Sequence, residues 1–160
     1  MHNLSFDALG SPIPPMLQEM DFSEFEQCHV AQHSTSTTRA QIFSKYQHYL
    51  RDFRTAIGVS FSQWVDGSFT TSKLDPQDID VINFVPFEAA SDQQIVELAK
   101  FKKSGGSRDE YQVDAHIVQV YPADDRRFQF TQLYMNQWAA DFGFDKNSGQ
   151  PKTVVALLFS

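Results

Sequence analysis

The strongest constraint in this chain is an apolar segment, residues 78–86, that carries two aspartates at alternating positions. The segment reads DIDVINFVP, and a nearly continuous apolar run is typical of a central strand that is buried on both faces. Because side chains alternate between the faces of a strand, Asp78 and Asp80 should point the same way, while Ile79 and Val81 enter the core. Two like charges on one face repel each other, and burying them unpaired is costly, so the segment predicts a bound cation.

Magnesium suits such a pair of carboxylates, because it binds few of them and takes waters and phosphate oxygens as its other ligands. Manganese is an equivalent choice. Asp114 is a third candidate, since it interrupts VDAHIV, which reads as another strand. If that strand lies beside the first, the carboxylates of Asp78, Asp80 and Asp114 converge on one patch. Bridging carboxylates can then hold two ions roughly 3.5–4 Å apart.

A Gly-Ser pair, Gly67 and Ser68, lies shortly before the acidic segment. Glycine removes the side chain where a turn brings its backbone close to a ligand. The serine adds a hydroxyl and a backbone amide, which both suit a phosphate oxygen. Beside an anionic metal site, this pair predicts a cradle for a nucleoside triphosphate such as ATP.

Composition limits the class of protein. The chain has 160 residues, of which 41% are hydrophobic and 21% charged, as expected for one globular domain. The single cysteine, Cys28, excludes an internal disulfide, and no zinc-ligand spacing is present. A net charge of −7 argues against non-specific binding to duplex nucleic acid. With no signal-peptide pattern and no apolar run of about 20 residues, we expect a cytoplasmic protein without a membrane partner.

Hydrophobic periodicity predicts an α/β (α+β) fold, a single domain with one mixed β-sheet flanked by helices. We expect an extended N-terminal arm, residues 1–35, packed on a main domain, residues 36–160. A short helix near residues 20–27 ends the arm, and the hydroxyl cluster STSTT (34–38) precedes a helix that ends near Ile57. The remaining predicted helices cover residues 92–103 and 126–142, and the strands cover residues 61–66, 78–86, 112–121 and 153–159.

The spacing of these motifs resembles that of the nucleotidyltransferase superfamily, which includes DNA polymerase beta and the minimal nucleotidyltransferases of toxin–antitoxin modules. Gly67-Ser68 is followed by nine residues, then Asp78-Ile79-Asp80, then a separate strand with Asp114. One departure is the acidic residue Asp66 directly before the glycine. The resemblance covers about residues 38–121. The Pro-rich start and the late GQPKTVV also resemble a small bacterial family of nucleotidyltransferase-like proteins.

This resemblance implies a nucleotidyltransferase-like fold and specific roles for the site residues. Asp78 and Asp80 would bind the metal ions that hold the triphosphate, and Asp114 would hold the catalytic ion and help activate the acceptor hydroxyl. Gly67 and Ser68 would bind the terminal phosphates. An acceptor would attack the α-phosphate and release pyrophosphate. Small members of the superfamily often lack a second substrate domain, which implies a protein or RNA acceptor, as in toxin–antitoxin or phage-defence modules.

Two other functions fit the same residues. The fold could serve as a non-catalytic module that binds a nucleotide or a protein partner. Alternatively, the DxD motif could belong to a metal-dependent glycosyltransferase, although that class does not need the upstream Gly-Ser pair.

Several residues outside these motifs have a structural expectation. We expect His116 to be a core or edge histidine rather than a contact to the nucleotide or acceptor, and His29 and His33 to lie at the surface. Lys152, Arg126 and Arg127 should be solvated, the alternative being that they reach a triphosphate. Lys100, Lys102 and Lys103 should provide favourable charge at the end of a helix. The aromatic residues Phe130, Tyr134 and Trp138 should lie in the core.

Overall fold

The computed structural model of the chain describes residues 5–6, 12–13 and 17–160, the last range with its side chains. The strands are β1 (Ser5–Phe6), β2 (Pro12–Ile13), β3 (Leu17–Glu19), β4 (Phe61–Asp66), β5 (Ile79–Pro86), β6 (Val113–Val120) and β7 (Val154–Phe159). The helices are α1 (Phe22–His29), α2 (Arg39–Ile57), α3 (Gln94–Glu97), α4 (Ser107–Tyr111) and α5 (Phe128–Phe142).

Five of the described strands form one mixed sheet in the order β3-β7-β4-β5-β6. Strand β4 is antiparallel to β5 and β7, whereas β5 runs parallel to β6 and β3 runs parallel to β7. Strands β1 and β2 pair separately. The mixed α+β sheet is therefore confirmed, and β5, the apolar acidic strand, has neighbours on both sides as predicted.

Helices cover the two faces of the sheet unequally. The apolar face of α2 packs on one side in a large aromatic core, and its apolar residues at helical spacing are all buried: Ile42, Tyr46, Tyr49, Leu50, Phe53 and Ile57. On the other side, a smaller cluster around Trp64 and Ile82 is covered by Met135, Trp138 and Phe142 of α5. The acidic residues lie on this second face, beyond the end of that cluster.

The expected N-terminal arm lies partly outside the described residues. Within the described part, β3 extends the sheet beside β7, and the predicted short helix is found as α1. Asp21 caps α1, because its side chain accepts from the Glu24 backbone N–H at 2.8 Å and the Glu24 side chain bonds back to Asp21. Phe25 of α1 is fully buried in the main core.

The predicted helix over residues 92–103 is wrong. That stretch holds the one-turn helix α3 and two 3₁₀ turns, Leu98–Phe101 and Lys103–Gly105, and the sequence interpretation missed α4. Leu98 and Phe101, three residues apart, are both buried, which suits the three-residue repeat of a 3₁₀ turn. Gly105 then packs against the Ala99 carbonyl, where a Cβ would approach to 1.8 Å, so the chain folds back instead of continuing a helix.

The core expectation for the aromatic residues of α5 is wrong for two of three. Phe130 is 46% exposed and Tyr134 is 48% exposed, whereas Trp138 packs on the sheet. The buried side of α5 instead follows Thr131, Met135, Trp138 and Phe142, at spacings of three and four residues. An apolar surface formed by Phe130, Leu133 and Tyr134 is left exposed on the helix.

His29 does not lie at the surface, which corrects the sequence expectation. Its side chain is fully buried and packs against Phe25, one helical turn earlier, with ring centroids 4.8 Å apart and the rings tilted by 42°. Neither ring nitrogen has a hydrogen-bond partner among the described residues. Burial, helped by the charges of Arg39 and His33, lowers the pKa of His29 to about 3.

We predict that His29 makes the protein acid-sensitive. Between about pH 6.5 and pH 3 the unfolded chain binds a proton that folded His29 rejects, so the free energy of unfolding falls as pH falls. The slope from this residue is at most about 1.4 kcal/mol per pH unit. Urea unfolding across this range should show a flatter pH dependence for His29→Leu than for the wild type. Equal slopes would contradict this assignment.

Arg39 ties the start of α2 to the loop that leads into the acidic strand. The residue is 1% exposed, and its guanidinium donates to five backbone carbonyls at 2.6–3.3 Å, those of His29, Phe69, Thr71, Lys73 and Leu74. One planar cation therefore satisfies carbonyls from two separate segments. This loop carries the chain from the Gly-Ser turn to Asp78.

We predict that Arg39→Met lowers the free energy of unfolding by more than about 3 kcal/mol, because several buried carbonyls lose their donor. Arg51→Met, on the exposed side of the same helix, is the matched control and should change stability by less than about 1 kcal/mol. Chemical denaturation of both variants gives the comparison. Similar small losses of stability in the two variants would show that the hydrogen bonds of Arg39 are not needed for stability.

Candidate functional site

Three aspartates lie side by side across the sheet. Asp66 on β4 is in register with Asp80 on β5, and Asp80 is in register with Asp114 on β6. Asp78 precedes β5 by one residue, on the same face as Asp80. The strand that carries Asp114 therefore does lie beside the acidic strand, as the sequence analysis required. We call Asp66, Asp78, Asp80 and Asp114 the acidic cluster.

Asp66 is the member of the cluster that sequence reasoning missed. It stood out only as an acid at the position where the nucleotidyltransferase pattern has a hydrophobic residue. It is the last residue of β4 and is 4% exposed. The pairing of β4 with β5 places it beside Asp80. Four carboxylates instead of three thus share this end of the sheet.

Three basic residues pair with three of the four carboxylates. Lys152 Nζ lies 2.7 Å from Asp66 Oδ2, Arg108 reaches Asp78 Oδ2 at 2.9 Å, and Lys103 Nζ lies 2.5 Å from Asp114 Oδ2. The three cations come from the loop before β7, from α4 and from the turn before α4.

Two of these pairings correct sequence expectations. Lys103 does not simply stabilise a helix end but bonds Asp114, and Lys152 is not solvated, since its side chain is only 11% exposed. Lys103 and Arg108 are about half exposed, so both can move away from the cluster. Arg127 is committed elsewhere, because it pairs with Asp125 at 2.7 Å and lies over the Phe87 ring.

Asp80, at the centre of the cluster, has no ion pair with any residue that the structure describes. Burial raises its pKa to about 7, and the nearby charges of Asp78, Asp114 and Asp66 act in the same direction. Burial also raises the pKa of Asp66, although the adjacent Lys152 opposes this effect. The cluster therefore has a deficit of positive charge at its centre.

The cluster also contains unused oxygen atoms. Asp66 Oδ1 and Asp114 Oδ1 are buried and have no hydrogen-bond partner among the described residues. Buried acceptors of this kind ordinarily have a partner. Together with the unpaired Asp80, they are oxygen donors of the chemical type that magnesium and manganese prefer.

Within residues 17–160, no three His, Cys, Asp or Glu side chains already stand in a metal-binding arrangement. The three ion pairs give a physical reason, because Lys103, Arg108 and Lys152 each hold one carboxylate toward themselves. A bound metal ion would need to displace at least one of these pairs. Two of them involve the register row, the in-register aspartates Asp66, Asp80 and Asp114. Of these two, the Lys103–Asp114 pair is more accessible than the Lys152–Asp66 pair.

Gly67 lies directly against the central aspartate. Its φ of 81° and ψ of −164° belong to a region that L-residues rarely adopt, and a Cβ there would approach Asp80 Oδ2 to 1.8 Å. Ser68 begins the short 3₁₀ turn Ser68–Thr70 beside it. Sequence reasoning placed Gly67 and Ser68 near the carboxylates, and the structure brings Gly67 into contact with one of them.

His116 borders the cluster on the edge strand β6, consistent with the expected edge or core histidine. Its Nε2 atom lies 3.9 Å from Asp114 Oδ1, and its ring packs on Trp138 with centroids 4.5 Å apart. Burial lowers the pKa of His116, against the opposing effect of Asp114. The cluster thus continues along β6 toward α5.

A family model described as a family of unknown function (DUF6932) matches residues 4–158, and the chain belongs to that family. No curated protein and no solved structure matches the chain. Among the residues that the structure describes, no helix combines the length and the apolar character needed to cross a membrane.

We predict that Gly67→Ala is destabilising because the new Cβ collides with the Asp80 carboxylate, in addition to straining the backbone. We expect a loss of about 1–3 kcal/mol in thermal or chemical unfolding. Gly149→Ala is the matched control, since Gly149 also has a positive φ, of 68°, but nothing within 4 Å of the added Cβ.

A double variant separates collision from strain. If the collision matters, Asp80→Ala should relieve it, and Gly67→Ala/Asp80→Ala should be more stable than the sum of the single effects predicts. Additive effects would mean that Gly67 serves backbone conformation alone.

Proposed function

We propose that this protein is a cytoplasmic, metal-dependent nucleotidyltransferase that transfers a nucleoside monophosphate from a nucleoside triphosphate to a protein or RNA acceptor. The observation that carries the proposal is the register row Asp66–Asp80–Asp114 with Gly67 packed against its central member. Carboxylates from adjacent strands beside a turn without a side chain offer a place for a metal-bound triphosphate.

In this proposal Asp78, Asp80 and Asp114 would hold magnesium or manganese, and Asp66 lies close enough in the row to assist. The bound metal would neutralise the triphosphate and stabilise the attacking and leaving oxygens. Asp80 would be the central metal ligand, because it forms no ion pair with any described residue. Gly67 and Ser68 would leave room for the terminal phosphates beside it.

The basic residues would change partners when the nucleotide binds. Lys103 and Arg108, which are about half exposed, would release Asp114 and Asp78 and turn toward the phosphates. Lys152 would stay on Asp66, because both side chains are buried. This exchange keeps the site near charge balance before and after binding.

The chemical step would join the acceptor oxygen to the α-phosphorus and break the bond between that phosphorus and the oxygen leading to the β-phosphate. Pyrophosphate leaves with that electron pair. Asp114 would accept or direct the proton of the acceptor hydroxyl, since one of its oxygens has no hydrogen bond among the described residues. Binding the two reactants in line supplies much of the rate enhancement in such reactions.

We predict that Asp80→Asn abolishes transfer, with a loss of at least about a thousandfold, and leaves the fold intact because removing a charge relieves repulsion in the cluster. The measurement is incorporation of label from an α-phosphate-labelled nucleoside triphosphate with magnesium and host lysate. Asp109→Asn, an exposed acid on neighbouring α4, is the control and should keep full activity. Wild-type transfer by Asp80→Asn would contradict the proposal.

A second candidate function is a non-catalytic module that binds a nucleotide or a protein. The observation in its favour is that Lys103, Arg108 and Lys152 already neutralise three of the four carboxylates. Calorimetry with magnesium and each triphosphate separates the two. Tight binding without label transfer favours a nucleotide sensor, and no binding favours a protein-interaction role.

A further inference from the structure

Strand β6 lies at the edge of the described sheet, and half of its backbone groups face away from β5. The Ile79 N–H donates to the Gln112 carbonyl at 3.1 Å, which sets the alternation along the parallel pair. The backbone groups of the even-numbered residues of β6 therefore bond to β5. The backbone groups of Val113, Ala115, Ile117 and Gln119 point outward instead.

The two ends of this outward edge are satisfied within the chain. Ser107 Oγ donates to the Val113 carbonyl at 2.7 Å, and the backbone N–H of Tyr121, just beyond β6, donates to Thr131 Oγ1 at 2.9 Å. Between them, the backbone groups of Ile117 and Gln119 have no hydrogen bond beyond the sheet to any residue that the structure describes. Ala115 is fully buried, whereas Ile117 and Gln119 are partly exposed, so the open part of the edge is short and central.

This open edge lies in a cleft of about 380 Å³. One wall is formed by Ile95 and Lys102 from the segment between β5 and α4, and the other by Tyr134 and Trp138 of α5. The floor follows β6 from His116 to Gln119. An unpaired edge between two such walls matches the shape of an added strand, whose side chains would alternate between them.

The charge of the cleft favours a polypeptide over a nucleic acid. Helix α5 contains no Lys or Arg, and the whole chain has a net charge of −7. Polyanions bind mainly through basic side chains that contact phosphates, and Lys102 is the one such residue lining this cleft among the residues described. The exposed apolar surface of Phe130, Leu133 and Tyr134 borders the same wall.

The cleft is continuous with the acidic cluster. His116 lies in its floor, and His116 Nε2 is 3.9 Å from Asp114 Oδ1. A strand paired along Ile117 and Gln119 would place a side chain next to His116 on the face that carries Asp114. A hydroxyl on that side chain would lie beside His116, on the same face as the carboxylate that the proposed function assigns to acceptor activation.

We propose that the open edge of β6 binds an extended polypeptide segment by strand addition and presents a serine, threonine or tyrosine hydroxyl of that segment to the acidic cluster. The inference rests on the proposed function and narrows its acceptor to a protein. The backbone of the segment supplies the binding, while Tyr134, Trp138 and Lys102 select among its side chains.

The test uses proline to remove one outward N–H without touching the ladder to β5. Ile117→Pro removes that donor, and Ile117→Ala removes the same side-chain packing but keeps the donor. The probes are a degenerate pool of short synthetic peptides with a central Ser, Thr or Tyr, and a random-sequence oligoribonucleotide pool. Binding is followed by fluorescence anisotropy, and transfer by label from an α-phosphate-labelled nucleoside triphosphate.

We expect the peptide pool to bind, and Ile117→Pro to weaken this binding at least about tenfold relative to Ile117→Ala. Circular dichroism checks folding, and if Ile117→Pro is unfolded, the pair Gln119→Pro and Gln119→Ala makes the same comparison. No binding of peptides, equal binding by the proline and alanine variants, or preferred binding of the RNA pool would overturn the inference.

The two readouts separate this inference from the proposed function. Peptide binding that is lost in the proline variant, with no label transferred by any variant, would support the strand-addition surface and contradict the transferase. Label that enters peptide equally with the proline and alanine variants would support the transferase and overturn the role of the edge. Label that enters only the RNA pool would do the same.

Discussion

The repulsion among four carboxylates at one end of the sheet is the interaction on which the rest of the site depends. Strand register brings Asp66, Asp80 and Asp114 into one row, and the hydrogen-bonded pairing of the strands keeps these three positions adjacent. Three basic residues from three different segments form ion pairs with carboxylates of the cluster and offset part of this repulsion. Asp80 remains uncompensated, and this central deficit of positive charge is what a divalent cation with a triphosphate would relieve.

Part of this arrangement follows from local sequence. An apolar strand interrupted by Asp78 and Asp80 is unusual enough to indicate both a central strand and a charged site, and its position within the sheet is confirmed. Gly67 was identified as a place where a side chain would obstruct, and its contact with Asp80 supplies the physical reason. The buried face of α2 is also a local property of the sequence, because its apolar residues recur at helical spacing on one side.

The rest depends on pairings between segments that are distant in sequence. Asp66 joins the cluster through the register of β4 on β5, and Lys152 reaches it from the other end of the chain. Lys103 was misplaced and Arg108 was missed, because the crossover between β5 and β6 is built from short turns with little periodicity. The wrong surface expectation for His29 also has a tertiary cause. His29 lies one turn after Phe25, and the packing of α1 buries both side chains in the core.

Our central proposal is that the acidic cluster binds a divalent cation together with a nucleoside triphosphate. The most direct measurement is anomalous diffraction from crystals grown with manganese and a non-hydrolysable triphosphate. We predict an ion bound to Asp80 and Asp114, with Lys103 turned away from Asp114 toward the phosphates and the terminal phosphates beside Gly67. Crystals at saturating manganese and nucleotide in which Lys103 still bonds Asp114, with no ion at Asp80, would contradict it.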